Sequence, residues 1–388
     1  MSENNLYQAY TEALGPKRTR ALLLNHDYWQ ENIQQILKRA GQKKIRIATK
    51  SVRSCELLKE VLNSSSQFQG LMTYTLAESL WLREKGFKDL LLGYPIWDLE
   101  ALERLAKNPQ DITLMVDRLE HLKLLQLYAE RFNTKFTLCL DIDLSLDLPG
   151  LRFGVFRSSV QEDTQLKALV DYLQEHARHL ELVGVMGYEA QIAGVADKGK
   201  PLIKLLKLRS ISQLRKRREK IVKTLKDLGF PLRFVNGGGT GSLESTSLES
   251  CVSEVTVGSG FYGPKLFDGY TQFSIKPALT FCLPIVRNPA PSIYTCHGGG
   301  YVASGMSGVD RLPSPYLPQG VKLLSFEGAG EVQTPVQSTT SLSLGAPLFF
   351  RHAKAGEICE HFHEIHIFKN QLITHDVKTY RGEGQCFL

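Results

Sequence analysis

The chain has no Cys-x-x-Cys pair, no Gly-x-x-x-x-Gly-Lys-Ser/Thr loop and no apolar run long enough to span a bilayer. Each absence removes a class of function. Its seven cysteines (Cys55, Cys139, Cys251, Cys282, Cys296, Cys359 and Cys386) stand singly. An odd, scattered set excludes a disulfide framework and a cysteine-rich zinc site, so reduced thiols are expected. The start, Met1-Ser-Glu-Asn-Asn-Leu-Tyr7, lacks the basic residues and apolar core of a signal peptide. A cytoplasmic protein with no membrane partner is the expectation. Gly237-Gly-Gly-Thr-Gly-Ser242 ends in serine where a dinucleotide fingerprint needs glycine or alanine, which disfavours nucleotide binding.

A net charge of +7 and a basic run from Lys204 to Lys223 invite an anionic partner. The same stretch repeats Ile211, Leu214, Ile221, Leu225 and Leu228 at helical spacing, and no aromatic residues interleave its cations. It reads as the solvated face of an amphipathic helix, with no nucleic-acid partner.

At 388 residues and 43% hydrophobic content the chain can bury a large domain and a smaller one. Eight short apolar or β-branched runs appear: Ile45–Thr49, Leu71–Tyr74, Asp89–Leu92, Ile112–Val116, Phe136–Ile142, Leu182–Met186, Leu232–Val235 and Val255–Val257. Segments of helical periodicity separate them, as at Leu76–Lys85 and Leu119–Arg131. Strands joined by helical crossovers form a parallel sheet, and this count over this length predicts an α/β fold built as a closed (β/α)8 TIM barrel. From Lys276 onward proline and glycine become frequent and short alternating stretches replace the helices, as at Val321–Leu324 and His363–Phe368. The expected organisation is an N-terminal arm or tail over 1–18, the barrel over 19–275 and an all-β domain over 276–388.

Barrel chemistry sits where the strands end and the following loops begin. Lys50 ends the first run. After the seventh comes Asn236-Gly-Gly-Gly-Thr-Gly-Ser242, and after the eighth Val257-Gly-Ser-Gly-Phe-Tyr262. Glycines let a backbone approach an anion closely, and amides, the Thr240 hydroxyl and a helix start can bind its charge. A phosphate cradle opposite a strand-end lysine suits an aldehyde cofactor anchored at one end as a dianion and at the other as an imine. Arg152 and Tyr188 follow the fifth and sixth runs, positioned for the cofactor ring. Near the C-terminus, His352, Glu357, Cys359, His361 and His363 offer metal ligands, with His361 and His363 on one face of a strand.

These motifs resemble fold-type III pyridoxal 5′-phosphate (PLP) enzymes, the alanine racemase-like barrels, and within them the D-threonine aldolase and D-serine dehydratase branch labelled amino acid deaminase/aldolase. The resemblance runs from Thr49-Lys50-Ser51 through Arg152-Phe-Gly-Val155, Met186-Gly-Tyr188-Glu-Ala-Gln191, Gly237-Gly-Gly-Thr240 and Gly258-Ser-Gly-Phe-Tyr262 to His352-Ala-Lys-Ala-Gly-Glu357 and Tyr380-Arg-Gly-Glu-Gly384. It implies a homodimeric lyase of D-β-hydroxy amino acids with Lys50 as Schiff-base lysine and catalytic base. Gly238, Gly239, Thr240, Ser259 and Gly260 would hold phosphate, and Arg152 and Tyr188 would contact the ring. His352 or Lys354 would assist catalysis. Members of the branch often bind a divalent metal through a His-x-Asp or His-x-Cys pair. Here the pair reads His352-Ala-Lys354, and a charged ammonium has no lone pair to donate. His352 is left as the only ligand of that pair, and Lys354 is expected to supply charge in the metal's place. Alternatives are an amino-acid racemase, with Tyr294, His297, Tyr301 or Tyr380 as second base, a PLP-binding protein without turnover, and a barrel for a phosphorylated sugar.

Overall fold

A strand buried on both faces needs neighbours to cover it, and the first strand, Ala21–Asn25 (β1), finds them in the C-terminal part of the chain. In the computed structural model, which describes residues 3–161 and 163–388, β1 pairs antiparallel with Leu279–Ala290 and parallel with Glu364–Lys369. The barrel therefore starts one strand later, and the head of the 19–275 segment belongs to the second sheet. Helix α1 (Glu3–Leu14) lays Leu6, Tyr10 and Leu14 on that sheet against Leu23, Cys282, Phe349 and Phe368. The Tyr10 hydroxyl, deep in this contact, accepts a hydrogen bond from Asn25 at 2.9 Å.

The eight barrel strands fall on the eight runs expected from the sequence. In chain order they are Lys44–Ala48 (β2), Phe68–Thr73 (β3), Leu90–Leu92 (β4), Ile112–Val116 (β5) and Phe136–Asp141 (β6). A hairpin of Leu146–Leu148 (β7) and Leu151–Phe153 (β8) intervenes before Leu180–Gly187 (β9), Phe234–Gly237 (β10) and Glu254–Val257 (β11). All neighbours are parallel, and β11 pairs with β2 to close the ring. Crossover helices start at side-chain caps: Thr75 accepts from the Glu78 amide at 3.1 Å and Asp98 from the Ala101 amide at 3.0 Å, satisfying amides that no helical carbonyl can reach.

Strand residues alternate between the helix layer and the lumen. Ile45, Ile47, Leu71, Leu114, Val255 and Val257 join the main core. Met72, Leu91, Met115, Cys139 and Met186 form a separate cluster. Toward the N-terminal end of the strands the sequence alternation places charge inside: Arg46 of β2 reaches Glu254 of β11 at 2.7 Å, with both side chains 1% exposed, and also Asp89 at 3.0 Å. Asn236 donates to Glu254 at 2.8 Å.

The second sheet has nine strands and takes in β1. It includes Val321–Leu323 and Glu364–Lys369, on two alternating stretches read from the sequence. Helix Pro201–Asp227 carries the basic run: Lys204, Arg209, Lys216, Lys220 and Lys223 are exposed as expected, and the expectation is corrected at two cations. Arg218 is 0% exposed and pairs with Glu189 and Glu249, while buried Lys207 pairs with Asp197 at 3.1 Å. The helix spends two of its cations on buried carboxylates outside itself. All seven cysteines are unpaired. Among the described residues no helix is long and apolar enough to cross a membrane.

Arg46→Met leaves Glu254 buried without its cation, which costs about 3–5 kcal/mol in comparable buried pairs. Urea unfolding is expected to show a loss of that order. An unchanged midpoint would mean that the pair does not pin the closure of the barrel.

Candidate active site

Strand β2 ends at Ala48 and turns at once into a 3₁₀ segment, Thr49–Ser51, which carries Lys50 into the mouth of the barrel. Contacts from both parts of the chain hold this turn. Arg53 donates to the Lys50 carbonyl at 2.9 Å and pairs with Glu360 at 2.6 Å. The Tyr262 hydroxyl donates to the Val52 carbonyl at 2.6 Å. Gly356 packs so tightly that a Cβ there would lie 1.9 Å from the Lys50 carbonyl oxygen, and its φ of +91° already favours glycine. The Lys50 amine donates to the Tyr94 hydroxyl at 2.6 Å.

Lys50 opens into a cavity of about 900 Å³. Arg152, Tyr188, Gly238, Gly239, Thr240 and Ser259 also line it, so sequence-selected residues of five barrel regions converge there, while Gly260 does not line it. The glycine loops are shaped for close approach: a Cβ on Gly239 would lie 2.9 Å from Ala193, and one on Gly258 would lie 2.8 Å from the Ala48 carbonyl oxygen. The Gly260 amide donates to the Thr240 hydroxyl at 3.0 Å and ties the two loops together.

Not every expected donor points outward. The Gly238 amide donates to Glu189 at 3.1 Å and the Gly239 amide to the Ser242 hydroxyl at 3.1 Å. These glycines shape the loop, and their amides are engaged inside it. The helix after the loop, Leu243–Ser247, is only five residues long, so little of a helix dipole is available for an anion. Glu189 is the centre beneath the cradle: it also accepts from Ser242 at 3.3 Å and from Thr246, and pairs with Arg218 at 3.1 Å. Arg218 pairs in turn with Glu249 at 2.5 Å. Burial alone would lower the Arg218 pKa, but the two carboxylates outweigh it and the net shift is upward.

Arg152 sits on the β7–β8 hairpin, where Asp143 and, at 3.1 Å, Asp147 take its guanidinium. It enters the cavity as a clamped cation. Tyr188 forms a wall, with Arg157 5.4 Å above its ring, and burial pushes its hydroxyl up to about 12. It is therefore a neutral phenol at physiological pH. Lys354 lines the cavity, but His352 does not. His352 is buried edge-on to Tyr262 with neither ring nitrogen hydrogen-bonded among the described residues. Burial, aided by Arg351, lowers its pKa to about 3 and keeps the imidazole neutral.

The metal reading of the C-terminal histidines meets the wrong geometry. His361 closes a 3₁₀ turn (Glu357–His361) and His363 precedes the strand Glu364–Lys369, so they do not share a strand face. The His352-x-Lys354 pair brings no second lone-pair donor, and no carboxylate or thiol joins His352 in a ligand cluster among the described residues. The residues there do not fit a divalent ion. One group of potential ligands is present elsewhere, Glu364, His366 and Asp376, and it does not line the cavity.

The sequence reading missed Tyr94, Asp141, Arg157 and Arg311, all of which line this cavity or the 400 Å³ cavity beside it. Tyr94 and Asp141 lie at or just past the ends of β4 and β6, and the strand-end rule would have found them if applied to every strand. Asp141 is held up at about 8 by burial and by neighbouring Asp117 and Asp143, so it carries a proton at neutral pH. Arg311 comes from a loop of the second sheet and had no comparable signal.

A closed parallel barrel with a strand-end lysine facing a double glycine loop, followed by a β sheet, is the architecture of fold-type III PLP enzymes. The chain belongs to the family described as alanine racemase, N-terminal domain, whose profile matches residues 24–265. Membership implies pyridoxal 5′-phosphate, and the lysine, the cradle and the cavity fit that cofactor. No curated protein matches the chain. Among solved structures it is similar to D-threonine aldolase from Filomicrobium marinum, at 14% identity and TM-score 0.80, covering 95% of this chain and 96% of the other. It is similar to D-threo-3-hydroxyaspartate dehydratase from Delftia sp. HT23 at 18% identity and TM-score 0.76, covering 93% and 97%. Alanine racemase from Oenococcus oeni matches at 18% identity and TM-score 0.59, covering 86% and 89%.

Glu189→Gln keeps the shape but removes the charge that pairs with Arg218 and gathers the cradle hydroxyls. Thermal unfolding is expected several degrees lower, with faster loss of PLP on dialysis. Full cofactor retention would show that Glu189 does not shape the cradle.

Proposed function

We propose that the chain is a PLP-dependent lyase acting on D-configured β-hydroxy amino acids, of the D-threonine aldolase or D-serine dehydratase type. The observation that carries this reading is how the two amines lining the cavity are placed: Lys50 stands at the end of β2 against the Tyr94 hydroxyl, while Lys354 is held by the Ser304 carbonyl at 2.6 Å. A racemase needs a second base on the opposite face of the substrate, and within one chain none of the four candidates for that role lines the cavity. Tyr380 donates to buried Glu78 at 3.0 Å, Tyr301 accepts from Arg20 at 2.9 Å, and Tyr294 accepts from the Leu342 amide at 3.1 Å. The lyase neighbours also superpose more closely, at TM-scores of 0.80 and 0.76 against 0.59 and 0.66 for the alanine racemases from Oenococcus oeni and Bacillus anthracis.

When bound, the cofactor supplies an electron sink for negative charge at the substrate Cα. Lys50 would hold the cofactor covalently and, once displaced by substrate, move the Cα proton in a dehydratase. Tyr94 orients the Lys50 amine. The hydroxyls of Thr240 and Ser259 and the backbone of their loops would hold phosphate at the far end. Arg152, fixed by Asp143 and Asp147, would present a constant charge near the ring, and Tyr188 would pack beside it.

The test is a product panel. Reconstituted protein is given D-threonine, D-serine and D-3-hydroxyaspartate, and glycine plus aldehyde is separated from oxoacid plus ammonia. Lys50→Ala should lower either activity by about a thousandfold. Conversion of D- to L-amino acid without cleavage would instead establish the racemase, and protein that borohydride cannot modify at Lys50 would remove PLP from the account.

The same reading includes a homodimer. Phe156, Met306, Val309 and Phe326 are all more than 80% exposed, a costly set of apolar side chains to leave in water. Sedimentation equilibrium is expected to give twice the 43.6 kDa chain mass; a monomer at micromolar concentration would refute the dimer.

A further inference from the structure

One wall of the cavity is not built by the barrel. Loop 303–311 and the segment around Lys354 bring Ser304, Arg311, Lys354 and Glu357 to it. The loop is anchored: the Ala303 amide donates to the Arg311 carbonyl at 2.9 Å, and the Ser304 amide donates to Glu357 at 2.7 Å. The Ser304 hydroxyl also donates to Glu357, so that carboxylate is occupied by neutral donors. Lys354 donates to the Ser304 carbonyl at 2.6 Å, which takes one of its three protons.

The cations on this wall are under-compensated. The Arg311 side chain is 19% exposed, and its one ion pair, at 3.0 Å, is to an Asp310 that is itself 64% exposed. Its Nη1 is the atom that meets Asp310, and its buried Nε has no hydrogen-bond partner among the described residues. Burial, and then the charge of Arg311, lower the Lys354 pKa; Lys50 adds to the repulsion, and Glu357 and Asp310 offset only part of it. Buried donors left unpaired are costly, and an arriving anion would satisfy them and relieve the repulsion together.

The two cations also converge. A Cβ on Gly305 would lie 3.0 Å from Arg311 Nε and 3.5 Å from Lys354 Nζ, and at φ +122° the position suits glycine. Both nitrogens thus flank the same small volume, within reach of one carboxylate. A guanidinium presents a fork that matches a carboxylate, and an ammonium adds a point charge.

Resting on the lyase reading above, we propose that Arg311 and Lys354 form a carboxylate subsite, and that the substrate is an acidic D-amino acid whose β-hydroxyl carbon is followed by a second carboxylate. The dicarboxylic member of the D-β-hydroxy amino acids thereby becomes the preferred substrate over those with a methyl group or hydrogen beyond the hydroxyl. The charge that orients it comes from side chains and not from a metal, in keeping with the poor fit of the His352-x-Lys354 pair to an ion.

The experiment is a spectral titration of the PLP-loaded protein with D-aspartate and with its uncharged near-isostere D-asparagine, alongside KM values for D-3-hydroxyaspartate and D-serine. D-aspartate is expected to shift the cofactor absorbance at a concentration at least about tenfold lower than D-asparagine. Arg311→Met should remove that preference and raise KM for D-3-hydroxyaspartate while leaving KM for D-serine in place, and Arg311→Lys should restore part of it. Equal affinity for D-aspartate and D-asparagine, or an Arg311→Met variant that weakens both alike, would overturn the carboxylate subsite while the lyase reading stands. A cofactor spectrum that responds to no amino acid would overturn both.

Discussion

The hydrogen bonds between Lys44–Ala48 and Glu254–Val257 are the constraint on which the site depends. They close the barrel, and closure makes neighbours of two loops separated by about two hundred residues of chain. Gly258 can then lie against the end of β2, with Lys50 just beyond it. The Arg46–Glu254 pair crosses the same seam from inside the barrel. Such a pair adds little net stability over an apolar replacement, but half of it is very unfavourable, so it penalises any closure that separates its partners.

A second layer of buried charge supports the loops. Glu189, just past the end of β9, collects the Gly238 amide, the Ser242 and Thr246 hydroxyls and Arg218, so one carboxylate fixes a loop that has almost no apolar side chains to pack. Across the mouth, Arg53 and Glu360 join the Lys50 turn to the C-terminal sheet. The second sheet is thus part of the site's construction, both as a brace behind Lys50 and as the wall that carries Arg311 and Lys354.

Electrostatics at the mouth are asymmetric for physical reasons. Asp141, Asp117 and Asp143 crowd one side, where burial and mutual repulsion keep a proton on Asp141. Arg311, Lys354 and Lys50 gather on the other, where burial and then the charge of Arg311 lower the Lys354 pKa. On the proposed reading, an anionic substrate would be oriented by the cations of that wall before any chemistry occurs.

Local patterning in the sequence determined the barrel. Its strands and crossover helices announce themselves through apolar alternation and helical periodicity, and the strand-end rule found Lys50, Arg152, Tyr188, Thr240 and Ser259 because their positions relative to a strand are local facts. Periodicity could not show where β1 goes, since a strand buried on both faces reads alike in a barrel or a sheet. Nor could it separate Arg218 from the solvated cations around it, because what distinguishes Arg218 is a pair of carboxylates 29 and 31 positions away, at Glu189 and Glu249. His352 looked like a site residue by motif, yet packing turned its ring to Tyr262 and not to the cavity. Sequence alone determined which residues end the barrel strands and gather at the barrel mouth; only the tertiary structure decided which buried charges are paired and which cations face the cavity, because pairing depends on distances that the chain's own order does not contain.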